Sequence, residues 1–298
     1  MNKKIVLGID FVNLVFGSSH GESLVNSKGI AIGAIKGFFF KLRSLKEAIN
    51  PDYIIMANDL SRERTFRRKM YKPYKATRKP KDMDIVNQLK YTGQLCSLLG
   101  LPFINNELYE ADDILGMISK YCQENDMEMI IVSTDKDLYQ LLDTNICILS
   151  PRERDVIDLN WLYDKYKLTP SQWIELKMLM GDRGDNIPGI DRVGEVTALR
   201  LMQQYHSIDN IYQHIGQLKP QLQESLRNGS SRLPLVRELV TIIRDYRLID
   251  FQPSMMENTG RFMDELFNVL EELEIPSLYN IMRYSLSVDK KEVTDGRN

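Results

Sequence analysis

Three short runs of apolar, largely β-branched residues punctuate the first half of the chain. They are KIVLGI at 4–9, YIIMA at 53–57 and MIIVS at 129–133. Runs of this length bounded by turn-forming residues read as buried strands. Between them, apolar positions recur at helical spacing over 31–49, 84–99 and 111–124, the second closed by Gly100 and Pro102, and a further helix starts near Thr169 and Pro170. Strand and helix therefore alternate. That alternation predicts an α/β fold with a mainly parallel central sheet flanked by helices, which binds ligands beyond the carboxyl ends of its strands. Further on, Leu266, Val269, Leu270 and Leu273 sit at helical spacing and read as core packing, while the polar residues 287–298 read as a flexible tail.

Composition narrows the class. At 298 residues, with 43% hydrophobic and 27% charged side chains, the chain buries roughly three quarters of its unfolded surface on folding. It has no apolar run of about 18 residues to span a bilayer and no recognisable presequence, so the expected compartment is the cytoplasm, with no membrane partner. The three cysteines (Cys96, Cys122, Cys147) fit neither a disulfide framework nor a thiolate metal site, and the three histidines fit no zinc motif. Any bound metal is held by oxygen. A net charge of −2 argues against indiscriminate coating of nucleic acid.

The strand-like runs end in acids and amides: Asp10 with Asn13, Asn58 with Asp59, and Thr134 with Asp135 and Asp137. One aspartate after a strand is ordinary turn chemistry. Three sets converging on one crevice are costly unless a cation neutralises them. A second cluster, Glu110-Ala111-Asp112-Asp113, opens the helix at 111, where one acid suffices to complement the helix dipole. A third, Asp182-Arg183-Gly184-Asp185-Asn186, follows the helix that ends near Met180, and it lacks the alternating oxygens and closing Glu of an EF-hand. Hard oxygen donors suit Mg²⁺ or Mn²⁺, and two such ions about 4 Å apart serve phosphodiester hydrolysis.

From Arg62 to Lys81 the chain carries ten Lys or Arg residues against one acid, Glu63. Such a run attracts phosphate, and the interleaved Phe66, Tyr71 and Tyr74 offer faces for unpaired bases. Residues 187–205, IPGIDRVGEVTALRLMQQY, read as a hairpin of the helix-hairpin-helix kind leading into a helix. Gly189 and Gly194 would free backbone amides there to hold a DNA phosphate.

With these stretches in hand, the chain resembles the 5′ nuclease superfamily, namely the bacterial and phage flap endonucleases and the amino-terminal nuclease domain of bacterial DNA polymerase I. The matching motifs are Ile9-Asp10 with Asn13, Phe66-Arg67 through Tyr74-Lys75 and Arg78, Tyr109 to Asp113, Ser133 to Leu138, and Met180-Gly181-Asp182 through Gly189. The resemblance implies a PIN-like core over 1–168 with a helical arch at 61–82. It also implies a helical region over 169–286 containing a helix-three-turn-helix module at 181–205. It assigns Asp10, Asp59, Glu110 and Asp112 to a first metal site and Asp113, Asp135, Asp137, Asp182 and Asp185 to a second site or its surroundings. Lys75 and Arg67 would engage the scissile phosphate. Arg68, Tyr74 and Arg78, with Gly189, Arg192 and Gly194 of the hairpin, would contact DNA, a K⁺ ion being seated at 189–194.

There are two departures from the family pattern: Asp59, preceded by Asn58, lies seven residues before Phe66, one more than is usual, and the hairpin is altered. Arg192 stands where many relatives have a third glycine, and Val196 where a lysine is common. The implied activity is that of a stand-alone, monomeric, metal-dependent 5′-3′ exonuclease and flap endonuclease of replication and repair. Its substrates are branched or nicked DNA with a 5′ single-stranded end, RNA-DNA primers included. The alternative is a catalytically silent DNA-junction binder with the same fold, which would need a broken ligand set, yet every acidic position is filled. A PIN-like RNA nuclease would lack the hairpin.

Overall fold

The computed structural model describes residues 3–19, 24–60, 63–152, 155–259 and 261–286. The tail expected at 287–298 and the start of the basic segment at 61–62 lie outside them. Six strands form one sheet: β1 (Ile5–Asp10), β2 (Tyr53–Ala57), β3 (Phe103–Ile104), β4 (Glu128–Val132), β5 (Ile146–Leu149) and β6 (Val156–Ile157), in the order β3-β2-β1-β4-β5-β6. All neighbours run parallel except β5 and β6. β1 is central, with Ile9 opposite Met56 on one side and Val132 on the other. The chain winds outward from β1 to β3 and then returns to place β4 on the other flank. The reversal leaves a crevice beyond the carboxyl ends of β1 and β4.

The helices of the first half are α1 (Phe11–Ser18), α2 (Gly33–Ile49), α3 (Phe66–Met70), α4 (Met83–Leu98) and α5 (Ala111–Glu124). They are followed by α6 (Leu159–Tyr166), α7 (Pro170–Met180), α8 (Glu195–Tyr205), α9 (Ile208–Gln213), α10 (Pro220–Gly229), α11 (Leu233–Val240) and α12 (Met263–Glu272). Strand side chains alternate between two apolar layers, as the two-residue period of a strand requires. Val6 and Ile55 face the layer filled by Ile114, Leu115 and Ile118 of α5, which continues into the helical second half. Leu7, Ile9, Ile54 and Met56 face the layer of α1, α2, α4 and α12, where Leu266, Val269, Leu270 and Leu273 are buried as the sequence predicts.

Two local outcomes differ from expectation. The strand at 4–9 passes directly into α1, because Asp10 accepts a hydrogen bond from the Asn13 amide at 3.1 Å and caps the helix as the strand ends. In the basic segment the helical stretch is only Phe66–Met70, followed by turns through residue 77. Pro73 and Pro80 account for this, since proline disfavours helical geometry in the residue before it and donates no amide hydrogen.

Candidate active site

The carboxyl ends of the strands and the start of α5 enclose a crevice of about 600 Å³. Asp10, Asp59, Asp112 and Asp135 line it, joined by Glu110, Asp137, Asp185, Lys75 and Arg78. Asp10 is buried and accepts from Asn13 N and, at 3.0 Å, from Ser133 Oγ. Asn13 in turn accepts from the Thr134 amide and hydroxyl, so α1 and the end of β4 are held together. Asp59 accepts from the Ala111 amide at 2.7 Å, tying the end of β2 to α5. Asp135 caps the 3-10 helix at Lys136–Leu141 through the Asp137 amide.

These acids sit against one another without a full set of counter-charges. Burial, together with the charges of Asp59 and Asp135, pushes Asp10 up to about 7 despite its two hydrogen bonds. Desolvation and the charges of Asp135 and Asp10 drive Asp112 well above the ordinary carboxylate range. Among the described residues, no three acidic or other ligating side chains are disposed to hold an ion as they stand. The bare carboxylates repel, and several are held by cationic side chains instead.

Glu110 is one of these. Lys75 Nζ lies 2.5 Å from its Oε1, while Tyr74 OH and Arg67 approach the other oxygen at 2.7 and 3.2 Å. Burial alone would raise Glu110, but Lys75 and Arg67 hold it below its usual value. Lys75 also lies 3.7 Å from Asp185, which Arg78 contacts directly, and its backbone amide donates to the Asp185 carbonyl. The basic segment is thereby fastened to the loop after α7.

Lys177 does the same for two further acids. Its ammonium bridges Asp137 at 2.7 Å and Asp182 at 2.8 Å, with the side chain 8% exposed. Burial and the Asp135 charge raise Asp137 to about 6 even so. Sequence reasoning overlooked Lys177 and Phe16, which lines the crevice, and gave no role to Ser133 within its motif.

Four predicted residues have partners that the sequence does not show, although Arg67 and Tyr74 do line the crevice. Asp113 does not reach the crevice: it is fully buried, its two oxygens gripped by Arg67 at 2.5 and 2.7 Å, and it also accepts from the amides of Glu110 and Ile243. Arg67 is spent in the same contact, its remaining hydrogens donated to the carbonyls of Leu239 and Thr241 at 2.8 Å. A forked guanidinium on a carboxylate and two carbonyls is satisfied, with little left for a phosphate. Arg68 folds back onto the carbonyls of Lys72 and Tyr74. Tyr74 is 4% exposed and donates to Glu110, so its face is closed to bases.

The hairpin borders a second cavity of about 880 Å³, lined by residues 180–183 and 186–195 with Tyr71 and Arg232. Gly181 takes a φ of 66°, and a side-chain carbon on Gly189 would collide with the Met180 carbonyl, so both positions demand glycine. Gly194 caps α8 with open space where its side chain would stand. Arg192 adopts a φ of 65°, the left-handed conformation glycine takes freely. Val196 is 84% exposed beside it.

Comparison with known proteins identifies the family and the fold. Residues 5–167 match the family model of the 5′-3′ exonuclease N-terminal resolvase-like domain, and 168–260 match that of the 5′-3′ exonuclease C-terminal SAM fold. Thermostable DNA polymerase I of Thermus thermophilus is 38% identical over 259 residues, 86% of this chain and 30% of the polymerase. DNA polymerase I of Streptococcus pneumoniae is 32% identical over 282 residues, 89% of this chain and 32% of the polymerase. The chain thus spans about a third of the length of these relatives. Among solved structures, the T5 5′-exonuclease with divalent metal ions (zinc) bound superposes with a TM-score of 0.69 at 20% identity, covering 91% of this chain and 99% of that one. Flap endonuclease-1 from Methanococcus jannaschii gives 0.61 at 16% identity, covering 95% and 93%; these two likenesses establish the fold. With both family segments matched in sequence and the strand-end acids gathered in one crevice, the chain belongs to the 5′-3′ exonuclease family, whose members hydrolyse phosphodiester bonds.

Proposed function

We propose that this chain cuts DNA at the junction of single and double strands, as a metal-dependent 5′-3′ exonuclease and flap endonuclease working as a monomer in the cytoplasm. The observation that carries the reading is the crevice in which Asp10, Asp59, Asp112 and Asp135 meet beside Lys75. Carboxyl groups pushed upward by burial and then by one another's charge mark a place where a cation would lower the energy. The donors are all oxygen, which fits Mg²⁺ or Mn²⁺.

Asp10, Asp59, Glu110 and Asp112 would hold one ion, and Asp135, Asp137, Asp182 and Asp185 would hold or surround a second. Bound there, the two ions would supply an activated water and neutralise charge on the phosphate. Lys75, steadied by Glu110 and Asp185 at the mouth of the crevice, would meet a non-bridging phosphate oxygen, and Arg78 would guide the strand. Arg67 and Asp113 we read as an internal brace. In the hairpin, the open amide end of α8 at Gly194 and the Arg192 guanidinium would take duplex phosphates, with K⁺ on the carbonyls of 189–194. RNA-primer remnants would be accepted as flaps.

The test is cleavage of a 5′-labelled flap duplex with Mg²⁺, with Mn²⁺ and with EDTA, alongside the Asp112→Asn variant. Metal-dependent cutting near the junction, lost in the variant with DNA binding retained, is the expected result. Binding without cutting under every metal condition would replace the reading with that of a silent junction binder.

A further inference from the structure

A third depression opens beside the crevice, about 480 Å³ in volume, between α1, α4 and the residues that follow β2 and β3. It continues the crevice, since Val12, Asp59 and Lys81 line both. The hairpin cavity meets the crevice on another side at Ile187. The crevice with its carboxylates thus shares walls with both other spaces. On the nuclease reading, a duplex gripped by the hairpin with its scissile phosphate at the carboxylates would send the strand beyond that phosphate toward the groove.

Its walls suit a nucleotide. Lys81 and Lys90 supply ammonium groups, Asn58 and Asn105 supply amides that pair with base edges, and the half-buried ring of Phe103 lies against the floor. The floor itself is Gly93, in the interior of α4. Glycine weakens a helix interior, and nothing about its backbone requires it here. A side-chain carbon on Gly93 would stand 3.7 Å from Phe11 and 4.0 Å from Phe103, an ordinary fit, so a longer side chain would run into the groove.

We propose that this groove is a subsite for the nucleotide on the 5′ side of the scissile phosphate, Lys90 meeting its phosphate and Phe103 with the two asparagines meeting its base. The inference rests on the nuclease reading for the direction of the strand, and it is tested by binding, separately from cleavage.

The probe is a 5′-flap duplex in EDTA, with either a normal nucleotide or an abasic sugar 5′ of the junction phosphate, its Kd followed by fluorescence anisotropy. The wild type should bind the normal flap about tenfold more tightly than the abasic one, the scale of one base contact. Gly93→Leu should abolish that difference while leaving abasic binding and the melting temperature undiminished. Lys90→Ala should weaken both flaps and lower the salt slope by about 1, as for one phosphate contact. Equal binding of the two flaps by the wild type, or a difference that survives in Gly93→Leu, would overturn the subsite. Failure to cut these duplexes when Mg²⁺ is added would count against the nuclease reading and leave the binding result standing.

Discussion

Replacing Asp10 by asparagine should stabilise the protein in EDTA while removing its cleavage activity. Asp10 is 7% exposed, and its carboxyl is displaced from the ordinary 3.8 to about 7, first by burial and then by the charges of Asp59 and Asp135. A displacement of that size corresponds to about 4 kcal/mol of native-state cost when the group is ionised, at about 1.4 kcal/mol per decade of proton affinity. Because the folded value lies above the unfolded one, the native state binds more protons between them. Stability therefore falls as pH rises through that window and is regained as pH drops through about 7 toward 4.

Asparagine carries no charge, still caps α1 by accepting from the Asn13 amide, and can still pair with Ser133. It should therefore gain about 2–4 kcal/mol near pH 8, seen as an increase of about 5 °C or more in Tm. Near pH 5, where the carboxyl is protonated in the folded wild type but still ionised when unfolded, the advantage should shrink to about 1–2 kcal/mol, and it should vanish only below about pH 4. Mg²⁺ should raise the wild-type Tm more than that of the variant, since only the intact cluster gains from the cation. Melting curves of both proteins in EDTA at the two pH values decide the matter. Equal Tm near pH 8, or an increment that is undiminished near pH 5, would refute the claim that like-charge burial governs this site.

Arg67→Lys should destabilise the fold by about 3 kcal/mol in urea titrations, because lysine cannot reproduce the forked contact and leaves Asp113 poorly paired, and it should also slow cleavage, since Arg67 contacts Glu110. Lys177→Met should cost about 3 kcal/mol by leaving Asp137 and Asp182 uncompensated. Part of that loss should return as pH falls and Asp137 takes up its proton, at a higher pH than in the wild type, where Lys177 holds Asp137 down to about 6. Lys75→Ala should lower single-turnover cleavage by about tenfold or more while changing duplex affinity little, since one cation among ten adds little to overall attraction. Arg192→Gly should raise stability by about 1 kcal/mol in thermal melts by relieving the left-handed backbone, and should weaken duplex binding if its guanidinium meets a phosphate.

The strands β1, β2 and β4 were legible because each is an apolar run closed by turn-forming residues, and the strand-end acids followed from them. β3 and β6, two residues each, are too short for any periodicity to register. Helix α1 is hidden because its apolar residues follow the strand without a polar break, the sole signal being the acid at 10 and the amide at 13. Tyr74 reads as an exposed stacking ring until Glu110, distant in sequence, is seen to capture its hydroxyl. Lys177 looks like any helical lysine, since one of its two carboxylates is 40 residues away, in the 3-10 helix at Lys136–Leu141. Charge neighbours set by tertiary folding leave no local pattern to read.

The Arg67–Asp113 brace also bears on how the molecule is assembled during synthesis. Arg67 draws on carbonyls at 239 and 241, and Asp113 on the amide of Ile243, at separations of up to 174 residues. A ribosome-bound chain ending at residue 167, the limit of the first family segment, would hold both groups without these partners, as well as Asp137 without Lys177. The catalytic face thus matures only after the second segment has emerged, and a fragment cut between the two segments would carry most of the acids yet lack the frame that orients them.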